Sequence, residues 1–341
     1  MDVPGFRHSV SHPSAYSASQ VSEWLRRLCL PVHYHQYIDN PLGIPKTYQS
    51  LETLFQCQIT VFPYENLAVH YSPAHLVDIK PDVLYRKMME NPIRGRGGYC
   101  MELSIFFHHM LRGLGFRVTM TGVRNRTRTD GVPSGEYQGW THINNIIHLP
   151  DGTKYSADVA FGGDGPTAPL PMNDEATIHD NLGSQQVRLV HGHIDKQQHS
   201  EPRLWIYQYR NGTDKDWASF YSFAELEFFQ EDFAVQNWWA CAHTLHRWTV
   251  LVVRFLREGE PLEFAEGREG RAVAEDGGDV GIAGKVMLVN DVVKVNLGGK
   301  TQVVCRLGSE RERVTALKTY FNISLLENEV KAIRGWDMEL A

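Results

Sequence analysis

Apolar positions recur with a helical period in the first third of the chain and with a strand period after it. "VSEWLRRLCL" has apolar residues at 21, 24, 25, 28 and 30, close to one helical face, and Ser19 or Ser22 stands where a cap would. "TYQSLETLFQCQI" predicts a second amphipathic helix and "DVLYRKMME" a third, with Pro31, Pro41 and Pro45 punctuating the chain between them. The strongest helical pattern begins at Cys100: Leu103, Phe106, Phe107, Met110, Leu111 and Leu114 make one wide apolar stripe, and Gly115 is placed as a stop. Past it the period falls to two. "FRVTMTGV" alternates, "WTHINNIIHL" (140–149) alternates, "PDG" (150–152) reads as a turn, and "TKYSADVAFG" alternates again. Residues 140–161 are therefore predicted as a β-hairpin. "LWIYQYR" (204–210) predicts a further strand, "KVMLVNDVVKVNL" a strand pair and "SERERVTALKTYFNI" a late helix. Residues 1–19, rich in Ser, Pro and His, are expected to be a flexible tail. Residues 257–284, acidic and Gly-rich, are expected to be an exposed insertion.

Length and composition narrow the class. A chain of 341 residues is large for one core and implies two or three domains. Hydrophobic residues at 42% and charged residues at 22% describe a soluble globular protein, and a net charge of −6 gives no footing for nucleic acid or an anionic membrane. The longest apolar run, "WTVLVVRFL", is interrupted by Arg254 and is too short to cross a bilayer. Cys29, Cys57, Cys100, Cys241 and Cys305 are scattered, with no CxxC pair, so neither a disulfide framework nor a zinc cluster is expected. That cysteine usage points to a reducing, cytoplasmic compartment. His191, His193 and His199 have no Cys or carboxylate at ligand spacing, so no metal site is expected. Trp238 and Trp239 could stack on an aromatic ligand, but an aromatic pair is more often core.

The segment "RGRGGYC" (94–100) sets a cysteine where a Gly-rich loop enters a helix. A helix start carries partial positive charge and open N–H groups, which favour a thiolate and can hold an oxyanion. Gly97 and Gly98 could admit a substrate carbonyl to the backbone. A buried structural cysteine fits the same segment. A nucleophile needs a base and the base an orienter. His142 and Asp158 fall on the two strands of the predicted hairpin, opposed or one diagonal step apart, about 5–8 Å between β-carbons. His148 and Asp151 offer rival pairs nearby, so spacing leaves the choice open.

"RGRGGYCMEL", "WTHINNII" and "YSADVAFG", in that order, resemble the three catalytic blocks of the arylamine N-acetyltransferases. "VFPYENL" (61–67), "DFAVQNWWACAH" (232–243) and "YFNISL" (320–325) are similar to further blocks of that family, so the likeness runs over roughly residues 20–341. Tyr64 stands where the family usually has Phe, and the 257–284 stretch looks longer than a bacterial member would have. The resemblance implies an α+β fold with a papain-like cysteine-enzyme core: a helical domain (20–99), a catalytic helix plus β-barrel domain (100–210) and an α/β lid domain (211–341). It implies Cys100 as nucleophile, His142 as its proton acceptor and Asp158 as the orienter of the imidazole. Matching position by position, Arg96 and Glu65 would brace the catalytic loop, although Arg96 could instead attract phosphate. Gly139 would lie where the backbone approaches CoA. Phe62 and Phe161 would line the acyl and arylamine pocket, with plain core packing as the alternative. Arg94 receives no role. The implied reaction is ping-pong transfer of an acetyl, propionyl or malonyl group from acyl-CoA to an arylamine, aminophenol or hydrazine, with acyl-CoA as co-substrate and no permanently bound cofactor. A malonyl donor would call for a cation, and Arg124, Arg126 and Arg128 lie in the predicted loop before the His142 strand. A monomer or weak homo-oligomer is expected. A Cys-His-Asp hydrolase or transglutaminase-like enzyme would use the same residues, and a binding module would leave Cys100 structural.

Overall fold

The computed structural model describes residues 13–91, 94–129, 131–263 and 280–341. Residues 1–12 of the expected tail and 264–279 of the expected insertion lie outside the described residues. Helix Ala18–Arg27 starts at Ser17, whose hydroxyl accepts the Gln20 N–H while Gln20 Oε1 accepts the Ser17 N–H. This reciprocal cap satisfies two N–H groups that a helix start leaves open. The expected tail thus ends before residue 19: Ser14 Oγ donates to the His109 carbonyl at 2.7 Å, and Tyr16 is buried in the main core. Helix Tyr48–Val61 buries Leu51, Leu54, Phe55 and Cys57. The apolar stripe of helix Cys100–Gly113 is buried in the same core, and Gly115 beyond it takes a left-handed φ of 87°. "DVLYRKMME" is not one α-helix. It runs as helix Pro81–Tyr85 and then widens into a π-helical turn over Arg86–Glu90.

Two antiparallel sheets follow. The strands are β1 (Tyr64–Glu65), β2 (Arg117–Thr129), β3 (Val132–His148), β4 (Lys154–Ala157), β5 (Leu170–Pro171), β6 (His179–Asp180), β7 (Gln186–Gly192), β8 (Leu204–Arg210), β9 (Ala218–Phe223), β10 (Leu251–Arg257), β11 (Ile282–Val289), β12 (Val292–Leu297) and β13 (Lys300–Arg306). The first sheet has the order β5-β4-β3-β2-β9-β8-β7-β6, and β5 packs back against β7, so the sheet curls into a nearly closed barrel. Val123, Ile146, Leu189, Trp205, Tyr207, Tyr221 and Phe223 fill its interior. The sheet continues past the expected boundary at 210, because β9 inserts between β2 and β8. The segment around Arg124, Arg126 and Arg128 is not a loop. It is the outer half of a long β2–β3 hairpin, with Arg126 paired to Tyr137 and Arg128 to Pro133. The second sheet, β1-β10-β11-β12-β13, takes its first strand from the helical region. Its other face carries helix Glu310–Phe321, whose Leu317 and Phe321 join Val252, Val286 and Val293 in a separate core. Of the expected 257–284 insertion, Arg257 belongs to β10 and residues 282–284 to β11; residues 258–263 and 280–281 lie outside the strands.

β1 does more than open a sheet. Its other edge carries the loop before Cys100: Glu65 N–H donates to Gly98 O at 2.9 Å, and Gly98 N–H donates to Pro63 O at 3.3 Å. The two backbones meet so closely at Gly97 that a Cβ there would stand 1.9 Å from Pro63 O. Gly97→Ala is therefore expected to destabilise the protein by about 1–3 kcal/mol, because the obstacle is backbone that cannot move aside. Gly139, where a Cβ would meet nothing within 4 Å, is the comparison: Gly139→Ala should stay within about 0.5 kcal/mol. Urea unfolding of the two variants decides this, and equal midpoints would remove the steric argument.

Candidate active site

The loop leading to Cys100 is held by buried charge. Glu65 is fully buried, and its carboxylate accepts Arg96 Nε–H at 3.0 Å, lies 3.0 Å from Lys87 Nζ and accepts the Leu67 N–H at 2.8 Å. Burial alone would raise the pKa of Glu65, but Arg96 and Lys87 overcome it and hold the pKa down at about 2. Glu102, on the first turn of the Cys100 helix, shares Lys87 at 2.8 Å and accepts the Tyr99 N–H at 3.1 Å. Burial and the neighbouring Glu65 push Glu102 up, with Lys87 opposing. Arg96 reaches on to Glu329 at 2.9 Å, and Arg94 also pairs with Glu329 and donates to Ser324 O at 3.3 Å. Three carboxylates thus face three cations. Both arms of the Arg96 guanidinium are taken by carboxylates and the residue is 4% exposed, which fits bracing of the loop and not the attraction of a phosphate. Arg94, to which the sequence assigned nothing, ties this loop to the C-terminal region. Gly97 and Gly98 do not make room for substrate as expected. Gly97 makes room for β1, and a Cβ on Gly98 would stand 2.5 Å from the Glu102 Cβ.

Cys100, His142 and Asp158 are all buried, at 3%, 2% and 1% exposure. The hairpin register pairs Asn145 with Ala157. Carried one step on, it sets Asn144 opposite Asp158, so His142 is the diagonal neighbour of the carboxylate. His142 Nε2 and Asp158 Oδ2 are 2.7 Å apart, and Asp158 Oδ1 accepts the Ala160 N–H at 3.1 Å. An ionised carboxylate only accepts, so against one Nε2 carries the proton and Nδ1 is the nitrogen without it. The rivals fall away: Asp151 is spent on Thr153 in the turn, and His148 pairs with Lys154 at the far end of the strands. Burial pushes the Cys100 thiol well above its ordinary range, and the Asp158 charge adds to this; the Met101 N–H opposes it. Release of the proton to solvent is therefore unfavourable.

Phe161 is brought to the site, its ring edge-on to His142 at 5.2 Å between centroids. Phe62 is not. It packs on Phe106 at 5.4 Å beneath Arg27, which is the core alternative. Gly139 lies on β3 beside open space. The arginines of the hairpin now differ: Arg124 lies over Trp140, Arg126 donates to Gly135 O at 2.9 Å, and Arg128 reaches Asp164 at 2.6 Å in the loop after Asp158. Trp238 and Trp239 are exposed at 60% and 49%, not core, because helix Gln230–His243 turns them to solvent. Sequence reasoning missed Asn145, whose Nδ2–H donates to Ser104 O at 3.0 Å and locks β3 to the Cys100 helix. It missed Tyr221, 5.9 Å from the His142 ring, and His246, buried edge-on to Tyr99 at 5.0 Å. Burial, with His142 and His70 adding, keeps His246 neutral down to about 3. Glu102 had a signal, an acid three residues after the loop's last residue. Among sixteen histidines, His246 had none. Among the described residues, no group of three or more His, Cys, Asp or Glu is placed to hold a metal ion, and no helix is long and apolar enough to cross a membrane. His191 pairs with Asp174 at 3.0 Å and stacks on Trp205.

Comparison with known proteins bears on this geometry. The pattern of the N-acetyltransferase family matches residues 47–260. The chain is 25% identical over 338 residues to the N-malonyltransferase FDB2 of Gibberella moniliformis, covering 93% of this chain and 92% of that protein. It is 30% identical over 248 residues to an arylamine N-acetyltransferase / N-hydroxyarylamine O-acetyltransferase of Salmonella typhimurium, covering 69% of this chain and 78% of that protein. The fold is similar to that of Mycobacterium marinum arylamine N-acetyltransferase in complex with CoA, with a TM-score of 0.66 at 20% identity, covering 93% and 99% of the two chains.

If His142 is the proton acceptor for a thiol that burial disfavours ionising, its loss should silence that thiol. In His142→Asn, iodoacetamide labelling of Cys100 at pH 7 is expected to slow on the order of 10²-fold. Cys29 and Cys305, both partly exposed, serve as internal standards. Unchanged labelling of Cys100 would show that the imidazole does not activate it.

Proposed function

The chain belongs to the arylamine N-acetyltransferase family, and from that premise we propose that it carries an acyl group from acyl-CoA to an aromatic amine by way of a thioester on Cys100. The acyltransferase class follows from the family. The two-step route and the roles of single residues rest on the site geometry. The observation that carries them is the buried His142–Asp158 hydrogen bond of 2.7 Å, together with a buried cysteine at a helix start.

The steps follow from the groups present. Asp158 fixes the tautomer of His142, whose Nδ1 takes the Cys100 proton as the sulfur attacks the thioester carbonyl. The oxyanion that forms is held by the Cys100 N–H and a neighbouring backbone N–H at the helix start, where they await charge without reorganising. CoA leaves as the thiol and Cys100 keeps the acyl group. An arylamine or hydrazine is a weak base and arrives neutral, so His142 only relays its proton after attack. Gly139, beside open space on β3, is the position at which the backbone meets CoA, and Phe161 presents an aromatic face beside the imidazole. Burial of all three catalytic groups supports transfer to an amine over hydrolysis, because water reaches the acyl-cysteine poorly. Donors to consider are acetyl-, propionyl- and malonyl-CoA, the last supported by the likeness to a protein named N-malonyltransferase.

Intact mass after mixing with acyl-CoA and no amine tests the route. The wild type is expected to gain one acyl group that an arylamine then removes, and Cys100→Ala to gain none. Equal adducts on both proteins, or turnover without any adduct on the wild type, would exclude a cysteine intermediate.

A further inference from the structure

One buried cation beside the site is under-paired. Lys285 on β11 is 6% exposed, yet among the described residues its Nζ has a single hydrogen-bond partner, the carbonyl of Gly163. An ammonium has three N–H donors and is costly to bury without a counter-charge. Asp164 is the carboxylate in its neighbourhood, and that carboxylate is engaged by Arg128 at 2.6 Å, whose guanidinium lies 4.6 Å from the centre of the Phe220 ring. Two cations therefore share one carboxylate, and one positive charge is left over. Burial weakens the hold of Lys285 on its proton and Arg128 weakens it further, while Asp164 strengthens it.

This cluster borders the catalytic cleft. Gly163 belongs to the loop that follows Asp158, and Phe161 in that loop touches both the His142 ring and Phe220, at 5.2 and 5.1 Å. A Cβ on Gly162 would stand 3.9 Å from the Tyr64 ring. Tyr64 pairs with Val253, and Val253 with Met287, so Lys285, two residues before Met287, shares the sheet face that Tyr64 presents. The same face meets the loop: a Cβ on Gly163 would stand 3.4 Å from Met287 Sδ and 3.7 Å from Lys285 Nζ.

We propose that Lys285, with Arg128 across Asp164, forms an anion subsite for the free carboxylate of a short dicarboxylic acyl group delivered on CoA. The inference rests on the acyl-transfer reading above. A carboxylate at the end of the acyl chain supplies the missing counter-charge and takes charge-assisted hydrogen bonds from the N–H groups that Gly163 leaves unused. An acetyl group has nothing to offer there.

The test is the ratio of acyl-cysteine formation from malonyl-CoA to that from acetyl-CoA, each as rate over concentration. Acetyl-CoA carries the same phosphates, so contacts to CoA itself cancel. Lys285→Met is expected to lower the ratio by on the order of tenfold to a hundredfold. Lys285→Gln, which keeps a donor for Gly163 O and removes only the charge, carries the same expectation if the Met variant does not fold. Lys285→Arg is expected to retain the preference. A ratio unchanged in Lys285→Gln, whether both donors slow together or neither does, overturns the proposal. So does a wild type that accepts acetyl but rejects malonyl, or a defect that follows the carboxylate of 4-aminobenzoate against aniline as acceptor. If no donor acylates the wild type, the acyl-transfer reading fails and this inference with it.

Discussion

A carboxylate sealed from water needs donors facing it, and among the described residues Asp158 accepts from His142 Nε2–H at 2.7 Å and from the Ala160 N–H at 3.1 Å. The rest of the site depends on that pair. It fixes which imidazole nitrogen is protonated, and hence which one is free to take a proton from sulfur. It also keeps a negative charge near a thiol that burial already makes reluctant to ionise, which is why the proposed route moves the proton within the site and not to solvent. The geometry comes from the β3–β4 hairpin: the diagonal offset between His142 and Asp158 follows from the register that pairs Asn145 with Ala157. Asn145, reaching Ser104 O, then fixes the hairpin against the helix that carries Cys100.

Cys100 is delivered by a second constraint, built from charge instead of register. Glu65 on β1 receives Arg96, Lys87 and a backbone N–H while fully buried. Such a cluster adds little net stability over an apolar core, but breaking it by removing one partner costs about 3–5 kcal/mol, because the others are left buried and unpaired. Its value here is uniqueness of position: the loop has one place in which every charge is met. Through Glu329, which takes both Arg94 and Arg96, the same cluster makes the C-terminal region part of the catalytic loop's support. β1 belongs at once to this loop and to the second sheet, so the lid side of the cleft and the nucleophile share one strand.

Much of this was legible in the chain, where a single period or a local motif decided the outcome. The apolar stripe after Cys100 and the alternation on either side of "PDG" put Cys100 on its helix and His142 and Asp158 on the hairpin where the structure has them. The segment 124–139 misled because the outer half of a hairpin, solvated on both faces, loses the apolar alternation that marks a strand; paired arginines and glycines then look like a loop. The π-helical turn at Arg86–Glu90 hid Lys87, since a helical repeat says nothing of a turn that widens. Gly97 and Gly98 were assigned to substrate because sequence shows that a Cβ is absent and not what occupies its place, here Pro63 O and Glu102. Glu329, which pairs with Arg94, and His246 meet the site from far along the chain, and no local pattern announces a contact of that kind.

The claim that a sealed Asp158–His142 pair drives acylation of Cys100 is tested most directly by single-turnover acylation of Asp158→Asn across pH. With Asn at 158 the imidazole loses its charged orienter and can take the other tautomer. The account predicts acylation slowed by roughly 10³-fold or more at neutral pH, with the acyl-cysteine still formed in full at long times. Acylation by Asp158→Asn at the wild-type rate, with the wild-type pH profile, would contradict it.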